Sequence, residues 1–142
     1  MIPMNDPHDL QRFVDAQNPV FEGVRLELRR GRKQSHWMWF VFPQLKGLGA
    51  SSMAKRFGIS SRDEAQAYLR HPILGPRLLE CTRLVNLVEG SSIERIFGYP
   101  DDLKFHSSMT LFSEVAPENE VFAAALQKYF DGNPDQLTIE RL

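Results

Sequence analysis

The chain has 142 residues, of which 42% are hydrophobic and 25% charged, and its formal net charge is −1. This balance is typical of a globular protein and excludes a disordered chain, and the near-neutral charge excludes long-range attraction of the whole protein to nucleic acid or to an anionic membrane. The length fits a single domain over residues 1–142 that can bury a core of its own.

Cysteine content and hydropathy predict the compartment. Cys81 is the only cysteine, so no disulfide can form within the chain. The N-terminal region carries no secretory hydrophobic segment, and the longest apolar run is far shorter than the roughly 18 residues that a membrane helix needs. We therefore expect a cytoplasmic protein without a membrane partner.

Two helices are predicted before residue 31. Asp6 and Asn18 each precede a proline, which is typical of a helix start. Side chains then recur at helical spacing, first at Leu10, Phe13, Val14 and Gln17 and then at Phe21, Val24 and Leu28. The second helix should end near Gly31, where Arg29 and Arg30 complement the helix dipole.

The apolar run at residues 37–42 (WMWFVF) holds both tryptophans. Its aromatic and β-branched content favours a buried strand, but a strand without a partner would leave its backbone groups unsatisfied. We therefore predict a short buried helix that ends before Pro43. The glycines and serines of residues 47–52 should form a loop.

The rest of the chain predicts further helices. Ser61 and Glu64 fit a capping box that opens a helix closed by His71. A longer amphipathic helix is predicted from Leu74, Leu78, Cys81, Val85 and Val88, and residues 92–97 fit one helical turn. Two more helices have apolar faces at Leu103, Phe105, Met109 and Phe112, and at Phe122, Leu126 and Phe130. The predicted fold class is all-α, a compact bundle-like domain of six or seven helices, some of them short.

The first candidate site is the basic segment in front of the aromatic run. If Ser35 caps the aromatic helix, the free N–H groups at that end would lie beside Arg32 and Lys33 and could bind an anion. His36 could then transfer a proton. The alternative is a solvated loop with an ordinary helix cap.

The two tryptophans belong to the same candidate site. Trp37 and Trp39 could cover a planar part of a ligand, or they could be core residues. If their indole N–H groups are buried they need hydrogen-bond partners, and Gln44 is a candidate for one of them.

The second candidate site lies on the helix that follows Pro100. Lys104 and Ser108 are four residues apart and so share a helix face, with Ser107 adjacent. A lysine–serine pair could act as base and nucleophile or could bind a phosphate, and His106 could act as an acid or base near neutral pH. The alternative is hydrogen bonding between helices.

No motif predicts a metal or a cofactor. Histidines or cysteines at metal-ligand spacing, a phosphate-binding glycine loop with its lysine, and a dinucleotide fingerprint are all absent from the sequence. We therefore expect neither a metal nor a cofactor.

Four tracts of the chain carry a resemblance to a known family. They are residues 9–17 (DLQRFVDAQ), 31–44 (GRKQSHWMWFVFPQ), 68–72 (YLRHP) with Leu74 and Gly75, and 96–98 (IFG) with 102–112 (DLKFHSSMTLF). In this order they resemble the largely bacterial, uncharacterised family called domain of unknown function 1810. The resemblance implies a mainly α-helical cytosolic domain and a helical aromatic run.

Two further labels accompany this resemblance. Members are sometimes labelled calpastatin, an inhibitor of calcium-activated proteases, but such a disordered inhibitor would not carry this much core-forming content. A fainter likeness, resting on Lys104 and Phe105 and on compact helical size, is to the NADAR family, which is linked to NAD and ADP-ribose metabolism and includes N-glycosidases.

We predict that the two candidate sites share one polar cavity for a nucleotide-like or other phosphorylated or ribosylated small molecule. Arg32, Lys33 and Lys104 would neutralise its anionic group. If the protein is an enzyme, His36, His106 and Ser108 are the catalytic candidates, and hydrolysis of a glycosidic bond is the reaction considered. The alternative is a nucleic-acid or protein-binding adaptor without catalysis, although the near-neutral charge and the expected burial of residues 37–42 argue against nucleic acid.

Overall fold

The computed structural model describes residues 5–142, and ten helices lie within that range. They are α1 Gln11–Gln17, α2 Phe21–Arg29, α3 Met38–Val41, α4 Ser52–Phe57, α5 Arg62–Arg70, α6 Leu74–Leu87, α7 Ile93–Phe97, α8 Asp101–Val115, α9 Glu120–Phe130 and α10 Gln136–Arg141. Within residues 5–142 the only extended pairing is an isolated parallel bridge between Leu45 and Ile59. The all-α prediction is confirmed. None of these ten helices is long and apolar enough to cross a bilayer.

The prediction of six or seven helices is too low, because the single turn predicted at residues 92–97 is helix α7, and α4 and α10 were not predicted. Each has only six residues and buries a single side chain, Phe57 in α4 and Thr138 in α10, so neither shows an apolar repeat. Each of the two helices is instead capped by the residue that precedes it. Ser51 accepts a hydrogen bond from the N–H of Ala54, and Asp135 accepts one from the N–H of Thr138.

The predicted helix starts are confirmed in part. The carboxylate of Asp6 accepts hydrogen bonds from the N–H groups of Leu10 and Gln11 at the entry to α1, and Ser61 caps α5 as expected. The predicted cap at Asn18 is wrong, because its side chain accepts a hydrogen bond from Arg77 of α6 and α2 begins three residues later.

Helix α8 lies at the centre of the fold and packs against α3, α5, α7, α9 and α10. Phe105, Met109 and Phe112 of its apolar face are fully buried. Phe105 packs among three further rings, Phe42, Phe97 and Phe130. Leu103 was predicted to face the core, but it is 51% exposed because its side chain lines an open pocket.

The aromatic run forms the four-residue helix α3, which is too short to be stable alone. Buried polar groups hold it in place: the side-chain amide of Gln17 donates to the carbonyl oxygen of Phe40 at 2.6 Å, and to the hydroxyl of Tyr68 at 3.0 Å. Burial of Tyr68 raises the pKa of its phenol, so the hydroxyl stays neutral. The predicted short buried helix ending before Pro43 is confirmed.

Cys81 occupies the apolar stripe of α6, as its spacing predicts. Its side chain is fully buried, and burial raises the pKa of the thiol to about 12. The thiol therefore packs as a small apolar group and is not a nucleophile at neutral pH.

Candidate functional site

A carboxylate at the end of α2 organises the basic segment. Glu27 Oε1 accepts hydrogen bonds from the N–H groups of Gln34 (2.7 Å) and Ser35 (3.0 Å) and from the indole Nε1–H of Trp37 (3.0 Å). Its other oxygen accepts the hydroxyl hydrogen of Ser35 at 2.7 Å. Four donors of this segment are therefore satisfied by a side chain of the protein itself and are not free for an external anion.

This arrangement corrects two predictions. Ser35 does not cap α3, because its hydroxyl donates to Glu27 and the residue preceding α3 is Trp37. The partner of the Trp37 indole is Glu27 and not Gln44. Partial burial raises the pKa of the Glu27 carboxyl, but the hydrogen bonds from Gln34, Ser35 and Trp37 together lower it by more, so the net pKa lies below its ordinary value of 4.5.

The two predicted candidate sites lie side by side and are joined by one aspartate. Asp101, at the start of α8, places Oδ2 at 2.8 Å from the ammonium of Lys33 and Oδ1 at 3.2 Å from that of Lys104. The side chain of Lys33 is only 8% exposed. Two lysines share one carboxylate, so a net positive charge remains at this bridge.

One pocket of about 460 Å³ lies on the Lys104 side of the bridge, between the loop after α3, the first turns of α8 and the start of α10. We call it the Trp39 pocket. Its polar lining is Gln44, Ser51, Lys104, His106, Ser107 and Asp135, and its apolar lining includes Trp39, Leu48, Pro100, Leu103 and Leu137. Five of these side chains are residues that the sequence singled out: Trp39, Gln44, Lys104, His106 and Ser107.

Lys104 and His106 are held in defined positions at this pocket. The ammonium of Lys104 lies over the ring of Trp39, 4.3 Å from its centroid. The ring of His106 stacks on Phe130 with centroids 4.0 Å apart, and its Nε2 lies 2.7 Å from the carbonyl oxygen of Asn133. Because a carbonyl oxygen can only accept, Nε2 carries hydrogen in this contact, and Nδ1 of the neutral ring is the acceptor.

Asp135 is the fixed carboxylate of the Trp39 pocket. Its Oδ2 lies 3.0 Å from the hydroxyl of Ser107, and it accepts the hydroxyl hydrogen of Thr138 at 2.6 Å and the N–H of Thr138. Its own N–H donates to Thr110 of α8. Among residues 5–142 no side chain or backbone group donates to Oδ1.

A second pocket, of about 660 Å³, lies on the Lys33 side of the bridge. We call it the arginine pocket. Its charged lining comprises Arg30, Arg32, Lys33, Glu94 and Arg95, and Phe97 and Gly98 complete the wall. The predicted single cavity is therefore wrong: Arg32 and Lys33 line one pocket, and Lys104 lines the other.

Four predicted residues line neither pocket. Trp37 is 1% exposed and belongs to the core, and Ser108 is fully buried, with no hydrogen-bond partner for its hydroxyl among residues 5–142. A buried hydroxyl cannot reach a ligand, and Lys104 is engaged with Asp101, so no Lys104–Ser108 pair forms. His36 and Ser35 lie on the exposed surface outside both pockets.

Sequence reasoning missed the three carboxylates that organise this region, Glu27, Asp101 and Asp135. A usable signal existed for one of them: Asp101 follows Pro100 at a helix start and lies three residues before Lys104, a spacing that pairs opposite charges. No such signal existed for the other two carboxylates. Glu27 binds residues that lie beyond the end of its own helix, and Asp135 caps a helix that the sequence did not predict.

Comparison with known proteins places the chain in a family. The family model described as "Protein of unknown function (DUF1810)" matches residues 7–142, so the chain belongs to this family, as its four tracts predict. The crystal structure of the conserved hypothetical protein Rv1873 from Mycobacterium tuberculosis, at 1.38 Å, is similar over 96% of this chain and 98% of that chain, with 62% sequence identity and a TM-score of 0.96. No curated protein matches the chain. Neither match carries a calpastatin or NADAR description.

Proposed function

We propose that this member of the family binds a small molecule with a planar ring, hydroxyl groups and one anionic group, of the nucleoside monophosphate class, in the Trp39 pocket. The observation that carries the proposal is the lining of that pocket. Two segments that are far apart in the sequence, one with Trp39 and Gln44 and the other with Lys104, His106 and Ser107, line one concave site of a size suited to a small ligand.

The apolar part of the lining suits the ring of such a ligand. Trp39 is only half-buried, in contrast to Trp37, and two further lining residues, Leu103 and Leu137, are 51% and 60% exposed. Large apolar side chains that remain exposed in a concave site are typical of ligand-binding clefts. The flat face of a nucleobase would cover them and exclude water.

The charge of the site suits one anionic group. Lys104 is only partly neutralised, because Asp101 is shared with Lys33. A phosphate on the Lys104 side would receive a charge-assisted hydrogen bond, which contributes about 1.5–3 kcal/mol. The carboxylate of Asp135 in the same pocket opposes a ligand of higher negative charge.

Asp135 also supports the presence of hydroxyl groups on the ligand. Its Oδ2 is held by Ser107 and Thr138, and Oδ1 remains as an acceptor. A fixed carboxylate that accepts from ribose-type hydroxyl groups distinguishes a nucleotide from a plain aromatic acid.

The proposal concerns binding. Of the three catalytic candidates, Ser108 is buried and His36 lies outside the pocket, so a hydrolytic step would depend on Nδ1 of His106 and Oδ1 of Asp135.

The alternative of a nucleic-acid adaptor loses one of its two stacking platforms, because Trp37 is buried with its indole bonded to Glu27.

Replacing Lys104 with alanine should weaken the binding of nucleoside monophosphates by about tenfold or more, because it removes one charge-assisted hydrogen bond. Calorimetric titration with AMP, GMP, CMP and UMP would measure this. The matched control is Lys55→Ala, which removes an exposed lysine of α4 that lines neither pocket. The proposal fails if none of the four nucleotides binds, or if both variants bind them like the wild type.

A further inference from the structure

The arginine pocket has a lining that the proposed ligand of the Trp39 pocket does not explain. Four cationic side chains and one anionic side chain line it, in a protein whose net charge is −1. Arg30, Arg32 and Arg95 are exposed, and within residues 5–142 none of them forms an ion pair. Positive charge is thus concentrated in one concave site.

The three guanidinium groups reach this site from separate parts of the fold. Arg30 and Arg32 follow the end of α2, and Arg95 comes from α7. Backbone hydrogen bonds fix these segments to each other: the N–H of Lys33 donates to the carbonyl oxygen of Ile96 at 2.7 Å, and that of Arg32 donates to the carbonyl oxygen of Glu27. The fold therefore sets the relative positions of the backbone segments that carry these charges.

Two glycines shape the wall between these segments. Gly31 and Gly98 have φ angles of 72° and 77°, a left-handed conformation that side chains rarely adopt. A Cβ atom at Gly98 would meet no atom within 4 Å, so this side of the pocket is open space. The pocket can accept a ligand without displacing protein atoms there.

We infer that the arginine pocket is a second binding site, separate from the Trp39 pocket, for a small molecule that carries two or more negative charges on phosphate groups. Guanidinium groups match phosphate oxygens in pairs of parallel hydrogen bonds, which favours phosphate over a spherical anion. Several guanidinium groups without carboxylate partners favour a diphosphate over an anion that carries a single charge. Phe97 contributes only a small apolar surface to the pocket, so recognition of the ligand depends on charge.

The concave shape favours a small molecule over a nucleic-acid backbone. Nucleic-acid binding generally depends on a positive patch or stripe that follows several phosphates. Here the cations converge on a single site, and the protein as a whole has no excess of positive charge.

The test is calorimetric titration of the full chain with inorganic pyrophosphate in low-salt buffer. We expect saturable binding that weakens at least about tenfold in Arg32→Ala and in Arg95→Ala. The matched control is Arg83→Ala, which removes an exposed arginine of α6 outside the pocket and should change the affinity less than about twofold. Because these arginines are exposed, the melting temperatures of all three variants should match that of the wild type.

The outcomes separate this inference from the proposed function. Retention of pyrophosphate binding in Trp39→Ala supports two sites, whereas its loss there, in a variant that remains folded, would place the anion in the Trp39 pocket and overturn the inference. Equal weakening by Arg83→Ala would show that the attraction is diffuse and also overturn it. Tighter binding of a single-stranded oligonucleotide than of pyrophosphate, lost in the same pocket variants, would contradict a small-molecule site.

Discussion

Replacing Glu27 with alanine should destabilise the protein by about 3 kcal/mol. The substitution removes a charged acceptor of four hydrogen bonds, and it leaves the indole N–H of Trp37, a residue that is 1% exposed, without a partner. An unsatisfied buried donor alone costs about 1–3 kcal/mol, and hydrogen bonds to a charged group contribute more than neutral ones. Chemical denaturation at neutral pH measures the change.

The control for this effect is Glu22→Ala, on the same helix. The Glu22 side chain is 85% exposed and, within residues 5–142, pairs only with Arg25, so its loss should cost less than about 1 kcal/mol. An equal loss of stability in the two variants would show that Glu27 is an ordinary surface carboxylate.

The same carboxylate should make stability depend on pH. The pKa of Glu27 is lowered in the folded protein, so its contribution is fully present above its ordinary value of 4.5 and is lost as the pH falls through the folded value. The difference in stability between the wild type and Glu27→Gln should therefore shrink as the pH is lowered below 4.5. A difference that stays constant would contradict this origin.

Arg12→Ala should destabilise the protein by about 4 kcal/mol. The guanidinium of Arg12 bonds Oε2 of Glu64 at 2.7 Å and also donates to the carbonyl oxygens of Arg56 and Gly58, thereby joining α1 to α4 and α5. The side chain of Glu64 is 4% exposed, and removing one partner of a buried ion pair typically costs about 3–5 kcal/mol, because it leaves the other charge buried. Denaturant titration measures the loss.

Arg62→Ala is the matched control for this second prediction. Arg62 is exposed at the first position of α5, two residues before Glu64, and forms no ion pair within residues 5–142. Its replacement should change stability by less than about 0.5 kcal/mol. Similar values for the two variants would mean that the Arg12–Glu64 pair does not hold these helices together.

The elements that the sequence predicts well are those that bury a repeating face. Helix α6 follows its stripe of Leu74, Leu78, Cys81 and Val85, all buried. Helix α8 also follows its pattern from Phe105 onward, while Leu103 at its first turn lies beyond the packed region. Apolar periodicity reports burial. It therefore fails to predict the structure where a helix end reaches the surface, or where a six-residue helix buries only one side chain.

The sequence predicted residues of both pockets, but it did not predict that they divide between two sites, and four of the predicted residues line neither pocket. Lys33 and Lys104 were expected to act together on a ligand, and both instead bind Asp101, which lies between two pockets. Which carboxylate a lysine meets depends on tertiary contacts. The same reason explains Ser35, whose neighbours in sequence suggest a helix cap and whose actual partner, Glu27, lies eight residues earlier.

The two tryptophans offer the most direct measurement of the central claim, that the Trp39 pocket binds a nucleoside monophosphate. In a ¹⁵N-labelled sample their indole N–H groups give two resonances, which Trp39→Phe assigns. On titration with AMP, GMP, CMP and UMP, we expect at least one nucleotide to shift the Trp39 resonance in a saturable manner, while that of Trp37, held by Glu27, stays in place. A Trp39 resonance that remains unmoved by all four nucleotides at saturating concentration would contradict it.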